Sequence, residues 1–167
     1  LEQFSQCFTP NVPIVCHNGA CLYDMHTKAF LRSVPLPACA AALIGQLADK
    51  FAGSLRYCAL YRQRETLTFE PDGFGKLKTL LAAWHTADPY CKAVLSAKDE
   101  ETALRMQRMA ESDPAFAADI CATRSWPYGV ELLASSATKA TAIAALRARL
   151  PGVTTVVCVG DYENDIP

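Results

Sequence analysis

The chain of 167 residues is 51% hydrophobic, enough apolar content to bury a core, and its formal net charge is −1. Acidic and basic residues are interspersed, which excludes a nucleic-acid-binding tract and a basic membrane-surface helix. No apolar run approaches the roughly 20 residues that a membrane span needs.

After a lead-in over Phe4 to Pro10, Pro13–Cys16 reads as a strand and Asn18-Gly19 as a turn. Ala20–Tyr23 with Ala29–Val34 then reads as a hairpin. Pro37 opens an Ala/Leu-rich helix that runs to Phe51 and stops at Gly53. Ser54–Tyr61 and Glu65–Phe69 read as paired strands across the polar turn Arg62–Arg64. Phe74–His85 is expected as a helix, Cys91–Ser96 as a strand, and Asp99–Glu111 as a helix with an acidic first turn. Ala118–Thr123 and Gly129–Leu133 follow as strands. Residues 53–134 thus read ββαβαββ, the pattern of an open sheet with helices on one face.

Thr138 is the N-cap of one more helix, whose buried stripe is Ala142, Ile143, Leu146 and Leu150, ended by Pro151 and Gly152. Lys139 falls in its first turn, where the helix dipole disfavours a cation by roughly 0.3–1 kcal/mol. Either its head snorkels into solvent, or it joins the helix N-terminus to clamp a phosphate. Thr154–Val159 then reads as a buried strand, which stops at Gly160 and delivers Asp161, Glu163 and Asp165. Carboxylates this close form a solvated acidic turn or hold a hard cation such as Mg²⁺. A lysine aimed at phosphate and carboxylates aimed at Mg²⁺ are the equipment of phosphoryl transfer.

Of the eight cysteines, Cys16, Cys58, Cys91, Cys121 and Cys158 lie in or beside apolar runs, where a free thiol behaves as a small hydrophobe. Cys16 and Cys21, with His17 and His26 nearby, suggest zinc. Cysteines flanking an Asn-Gly turn more often point to different faces, however. Reduced thiols in a cytoplasmic protein are the simpler reading.

GVELLASSATKATAIAAL followed by VVCVGDYENDIP resembles the third and fourth motifs of the haloacid dehalogenase superfamily of phosphatases. PIVCHNGACLYD, Pro13 to Asp24, is similar to the strand, Asn-Gly-Ala and hairpin signature of its Cof-type, type IIB branch. The resemblance implies an α/β fold: a partial Rossmann-like core from residues 1–52 and 135–167, with an α/β (C2-type) cap inserted over 53–134. It implies a Mg²⁺-dependent phosphatase of small phosphorylated metabolites, sugar phosphates among them, working through an aspartyl-phosphate that water hydrolyses. Lys139 would neutralise the nucleophile and the phosphoryl oxygens, Asp161 and Asp165 would hold Mg²⁺, and Asn164 would orient one of these groups. Asn18 would contact the phosphate or the cap linker, unless it is only a left-handed turn residue. Arg124, with Trp126 and Tyr128, would overhang the substrate, unless that hairpin is simply a turn with an aromatic edge.

One departure matters as much. The family's nucleophile opens an Asp-x-Asp-x-Thr motif, and no such motif occurs in these residues. The chain is therefore expected to be an internal piece of a larger phosphatase and inactive alone. The alternative is a non-catalytic α/β binding or regulatory module that retains the fold. A phosphoryl-transferring mutase of the same superfamily fits less well, because smaller helical caps are usual there.

Overall fold

The computed structural model describes residues 10–84 and 89–157. Strands β1 (Ile14–Cys16), β2 (Cys21–Asp24) and β3 (Ala29–Ser33) form a three-stranded antiparallel sheet in that order. Helix α1 (Ala40–Lys50) leads to a second sheet built from β4 (Leu55–Tyr61), β5 (Thr66–Phe69), β6 (Lys92–Ala97), β7 (Ile120–Thr123) and β8 (Gly129–Ala134). Helix α2 (Phe74–Ala82) joins β5 to β6, α3 (Glu100–Ser112) joins β6 to β7, and α4 (Lys139–Arg147) follows β8. The chain is α/β, as expected, and among the described residues no helix is long and apolar enough to cross a membrane.

The order of the larger sheet is β5-β4-β6-β8-β7, with every neighbouring pair antiparallel. Its two helical connections therefore each join strands that run parallel, skipping one antiparallel strand between them. Both connections step in the same direction across the sheet. The common handedness of such crossovers then places α2 and α3 on the same face.

That face is the core. Cys58 and Leu60 of β4, Ala93 and Leu95 of β6, Ile120 and Ala122 of β7, and Val130 and Leu132 of β8 form one buried cluster with the helices. The pairing register puts them side by side: Cys58 opposite Leu95, Leu60 opposite Ala93, and Leu132 opposite Ala93. Leu43, Ile44 and Leu47 of α1, Leu77 of α2 and Met106 of α3 are 0% exposed in the same cluster. Each contributes about 1.5–3 kcal/mol by leaving water.

Several element boundaries differ from expectation: α2 ends at Ala82 rather than His85, β7 begins at Ile120 rather than Ala118, and three further differences have a visible cause. Helix α1 begins at Ala40 rather than Pro37, because Ala40, Ala41 and Ala42 donate to the carbonyls of Pro37, Ala38 and Cys39, a tighter three-residue winding. Helix α4 ends at Arg147, and Arg149 and Leu150 wind the same way onto the Leu146 and Arg147 carbonyls. The strand expected over Thr154–Val159 has no ladder as far as Val157, and Val156 and Val157 are 44% and 82% exposed. β-branched residues favour a strand only when a neighbour supplies hydrogen bonds, and the described residues supply none there. Cys158 and Val159 lie outside the described residues.

Candidate functional site

The face of the larger sheet opposite the helices is polar at its centre. Glu131 is 2% exposed, in the middle of the otherwise apolar strand β8. A buried carboxylate must be paired. Its Oε1 accepts from Lys92 Nζ at 2.7 Å, and its Oε2 accepts from Ser125 Oγ at 2.8 Å and from the Asn18 side-chain amide. Lys92 also lies over the Tyr61 ring, 5.5 Å from its centroid, and the Tyr61 ring meets that of His17 at 5.8 Å. Burial pushes the Tyr61 hydroxyl up and the His17 imidazole down from their ordinary values.

Asn18 sits in the connection between β1 and β2. His17, Asn18 and Gly19 have φ of 50°, 53° and 102°, three successive residues on the left-handed side. Such a run is costly for His and Asn and persists only when the surroundings hold it. Three contacts do so here. The Asn18 amide nitrogen donates to Glu131 and to Ser125 Oγ at 3.2 Å. Arg32 Nη1 donates to the Gly19 carbonyl at 3.2 Å. Gly19 itself lies against the start of α4, where a Cβ would stand 2.2 Å from the Thr138 carbonyl oxygen and 2.6 Å from the Lys139 nitrogen. Only glycine allows that approach.

Thr138 caps α4 as expected, and with Thr141 it forms a reciprocal box. Thr141 N–H donates to Thr138 Oγ1 at 3.0 Å, and Thr138 N–H donates to Thr141 Oγ1 at 3.1 Å. Half-buried Lys139 opens the helix beside the turn. The first-turn N–H groups of a helix have no carbonyl partner within it, so this end carries a partial positive charge. Joined to a lysine, it is suited to an anion.

The structure thus brings the Asn18-Gly19 turn and the Lys139 helix start together. It also limits what Asn18 can do. A carboxylate only accepts, so the orientation of the Asn18 amide is forced, and both N–H donors point at Glu131 and Ser125. The remaining side-chain oxygen is an acceptor, which has nothing to offer a phosphate oxygen. Asn18 therefore joins the turn to the β7–β8 connection. Arg124 is 7% exposed, and its Nη1 donates to Glu100 Oε1 and to the Pro127 carbonyl, each at 3.3 Å. Its neighbour Ser125 is the residue of that segment that reaches Asn18. Trp126 packs against Gly129, where a Cβ would lie 2.0 Å from the indole. Asp161, Asn164 and Asp165 lie outside the described residues. Glu131, Lys92 and Ser125 were not expected from the sequence; the one available signal was a lone carboxylate inside the apolar run Gly129–Ala134.

A second cluster lies at the base of the same turn. Cys16 and Cys21, expected on different faces, are direct partners in the β1–β2 register. Their sulfurs and a ring nitrogen of His17 all lie within 4.8 Å of one another. Cys91, 1% exposed, enters from the other sheet: its N–H and its thiol both donate to the Tyr61 carbonyl, at 2.8 and 3.2 Å. The neighbouring Cys16 and Cys91 thiols, with Ser33, hold the Cys21 thiol below its ordinary value, and the same proximity together with burial pushes Cys16 and Cys91 up.

The sequence profile of haloacid dehalogenase-like hydrolases matches residues 1–167. No curated protein sequence matches the chain. Among solved structures, a haloacid dehalogenase-like hydrolase from Bacteroides thetaiotaomicron is 18% identical with a TM-score of 0.62, over 83% of this chain and 54% of its own. A haloacid dehalogenase-like hydrolase from B. subtilis is 13% identical with a TM-score of 0.65, over 89% and 61%. The HAD subclass IIB sugar phosphatase BT4131 is 12% identical with a TM-score of 0.60, over 91% and 56%. The chain thus shares their fold while spanning little more than half their length.

Proposed function

The chain belongs to the haloacid dehalogenase-like hydrolases, and on that premise we propose that it serves Mg²⁺-dependent hydrolysis of small phosphate monoesters. Sugar phosphates are the favoured class, since a structure sharing this fold is that of a sugar phosphatase. The observation that carries the reading is the contact of the left-handed Asn18-Gly19 turn with the capped, lysine-bearing start of α4. It supports a site where a transferring phosphoryl group meets the first-turn N–H groups and the Lys139 ammonium, which together offset the charge gathering on its oxygens. The nucleophilic aspartate comes from outside these residues, which contain no Asp-x-Asp-x-Thr.

Asp161 and Asp165 would hold the metal, with Asn164 orienting a carboxylate. Their donor set is all oxygen, which fits a hard ion such as Mg²⁺. When bound, Mg²⁺ neutralises charge on the phosphoryl oxygens. Residues 53–134 act as a cap over this end of α4, and the Glu131–Asn18 contact joins cap to core. That contact supports water exclusion by a closed cap. Arg124, pinned to Glu100, serves by fixing the hairpin that carries Ser125.

The test is hydrolysis of p-nitrophenyl phosphate and a sugar phosphate panel by an enzyme that includes an Asp-x-Asp-x-Thr strand. Turnover is expected only with Mg²⁺, and Asp161→Asn is expected to abolish it without changing the far-ultraviolet circular dichroism. Wild-type turnover in Asp161→Asn would remove that residue from the metal site, and metal-independent turnover would overturn the reading.

A further inference from the structure

Beside the Asn18-Gly19 turn lies the thiol cluster, packed with Leu133, Ala134 and Ala137. We propose that Cys16, His17 and Cys21, completed by Cys91, form a structural zinc site that staples the three-stranded sheet to the five-stranded one. The left-handed turn is what makes this possible. It returns the chain so that Cys16 stands directly opposite Cys21. A hairpin of the opposite register would place the two sulfurs on different faces.

Three donors within 4.8 Å of one another are close to a coordination shell. Two thiolates bound at about 2.3 Å to a tetrahedral zinc lie about 3.8 Å apart, so side-chain adjustments of about 1 Å close the set. Cys91 stands outside that three-donor group, in the segment just before β6 with its thiol donating to the Tyr61 carbonyl at 3.2 Å, and would turn from that carbonyl to supply the fourth ligand. With Cys91 turned in, three sulfurs and one imidazole would form a closed Cys₃His set, the composition of structural rather than catalytic zinc. Soft donors of this kind select against Mg²⁺, so the site is chemically separate from the carboxylates of the proposed phosphatase centre. Buried cysteines packing only as small hydrophobes would have no use for an imidazole converging on the same point.

The consequence is mechanical. Cys16 and Cys21 bracket the turn, and Cys91 lies next to Lys92, the partner of Glu131. A bound ion fixes both ends of the turn and the strand that it docks against, and so helps to hold three residues at positive φ.

The test is a titration of the reduced, metal-free chain with Co²⁺, followed by thiolate-to-cobalt charge-transfer absorption and by the visible bands of a tetrahedral ion. Saturation at one Co²⁺ per chain, displacement by Zn²⁺ and a raised melting temperature are expected. Cys16→Ser and Cys21→Ser should each weaken binding at least about a hundredfold, since even changes outside the ligand shell cost about 10–100-fold. His17→Gln should keep the charge-transfer band and alter the visible bands, while Cys39→Ser, on the approach to α1, should change nothing. Cys16 is half-buried and tolerates serine, so its variant stands as a test even if buried Cys21→Ser fails to fold. Absence of a charge-transfer band with all thiols reduced, or a band unchanged in Cys16→Ser, would overturn the proposal.

Discussion

Replacing Gly19 with alanine probes the contact on which the site is built. The added Cβ would lie 2.2 Å from the Thr138 carbonyl oxygen, 2.3 Å from its carbon and 2.6 Å from the Lys139 nitrogen. All three are backbone atoms, which cannot swing aside as a long side chain does. The residue also holds φ at +102°. A side chain on the left-handed side costs about 1–2 kcal/mol and forced overpacking about 1–3 kcal/mol, so the loss of stability should be about 2–5 kcal/mol. With a urea slope of about 2 kcal/mol/M, the middle of the usual range, the unfolding midpoint should fall by about 1–2.5 M at unchanged slope. Gly53→Ala is the control, since a Cβ there meets nothing within 4 Å, and it should stay within about 0.5 kcal/mol. A loss below about 0.5 kcal/mol in Gly19→Ala would show that the turn does not press on α4.

Two more substitutions test the supporting contacts. Glu131→Gln leaves Lys92, whose side chain is 12% exposed, facing no carboxylate, and should cost about 3–5 kcal/mol in urea unfolding. The double change Glu131→Leu with Lys92→Met should recover most of that, and strictly additive losses would show that the pair is not coupled. Asp99 caps α3 through the Thr102 N–H at 2.7 Å, and that bond holds its carboxyl below the ordinary value. A depressed folded value gives stability that is complete above the unfolded value of about 4 and is lost as pH falls through the folded one. Asp99→Asn keeps the cap oxygen but not the charge, so its stability should fall less steeply below about pH 4. Identical acid slopes would contradict the assignment.

The sequence announced most of the elements because their signals are local. Pro37, Gly53 and Pro151 punctuate, Thr138 caps, and the alternation Cys58, Leu60 and Ala93, Leu95 marks the core face of a half-buried sheet. What stayed hidden depends on residues far apart in the chain. Glu131 and Asn18 are 113 residues apart, and Lys92 and Glu131 39 apart, so no spacing rule joins them. Cys16 and Cys21 were expected on different faces, but the antiparallel register makes them direct partners, and directly opposed residues share a face. Thr154–Val157 looked like a strand by composition, but a strand is completed by its neighbour.

The most direct test of the proposed phosphatase site is kcat/KM for a phosphate monoester with Mg²⁺, comparing wild type with Lys139→Ala in an enzyme that carries the nucleophile strand. If Lys139 and the start of α4 hold the transferring phosphoryl group, kcat/KM should fall about 10²–10³-fold, with most of the loss in kcat. A Lys139→Ala enzyme with wild-type kcat/KM would contradict that assignment and return Lys139 to the role of a solvated lysine at a helix end.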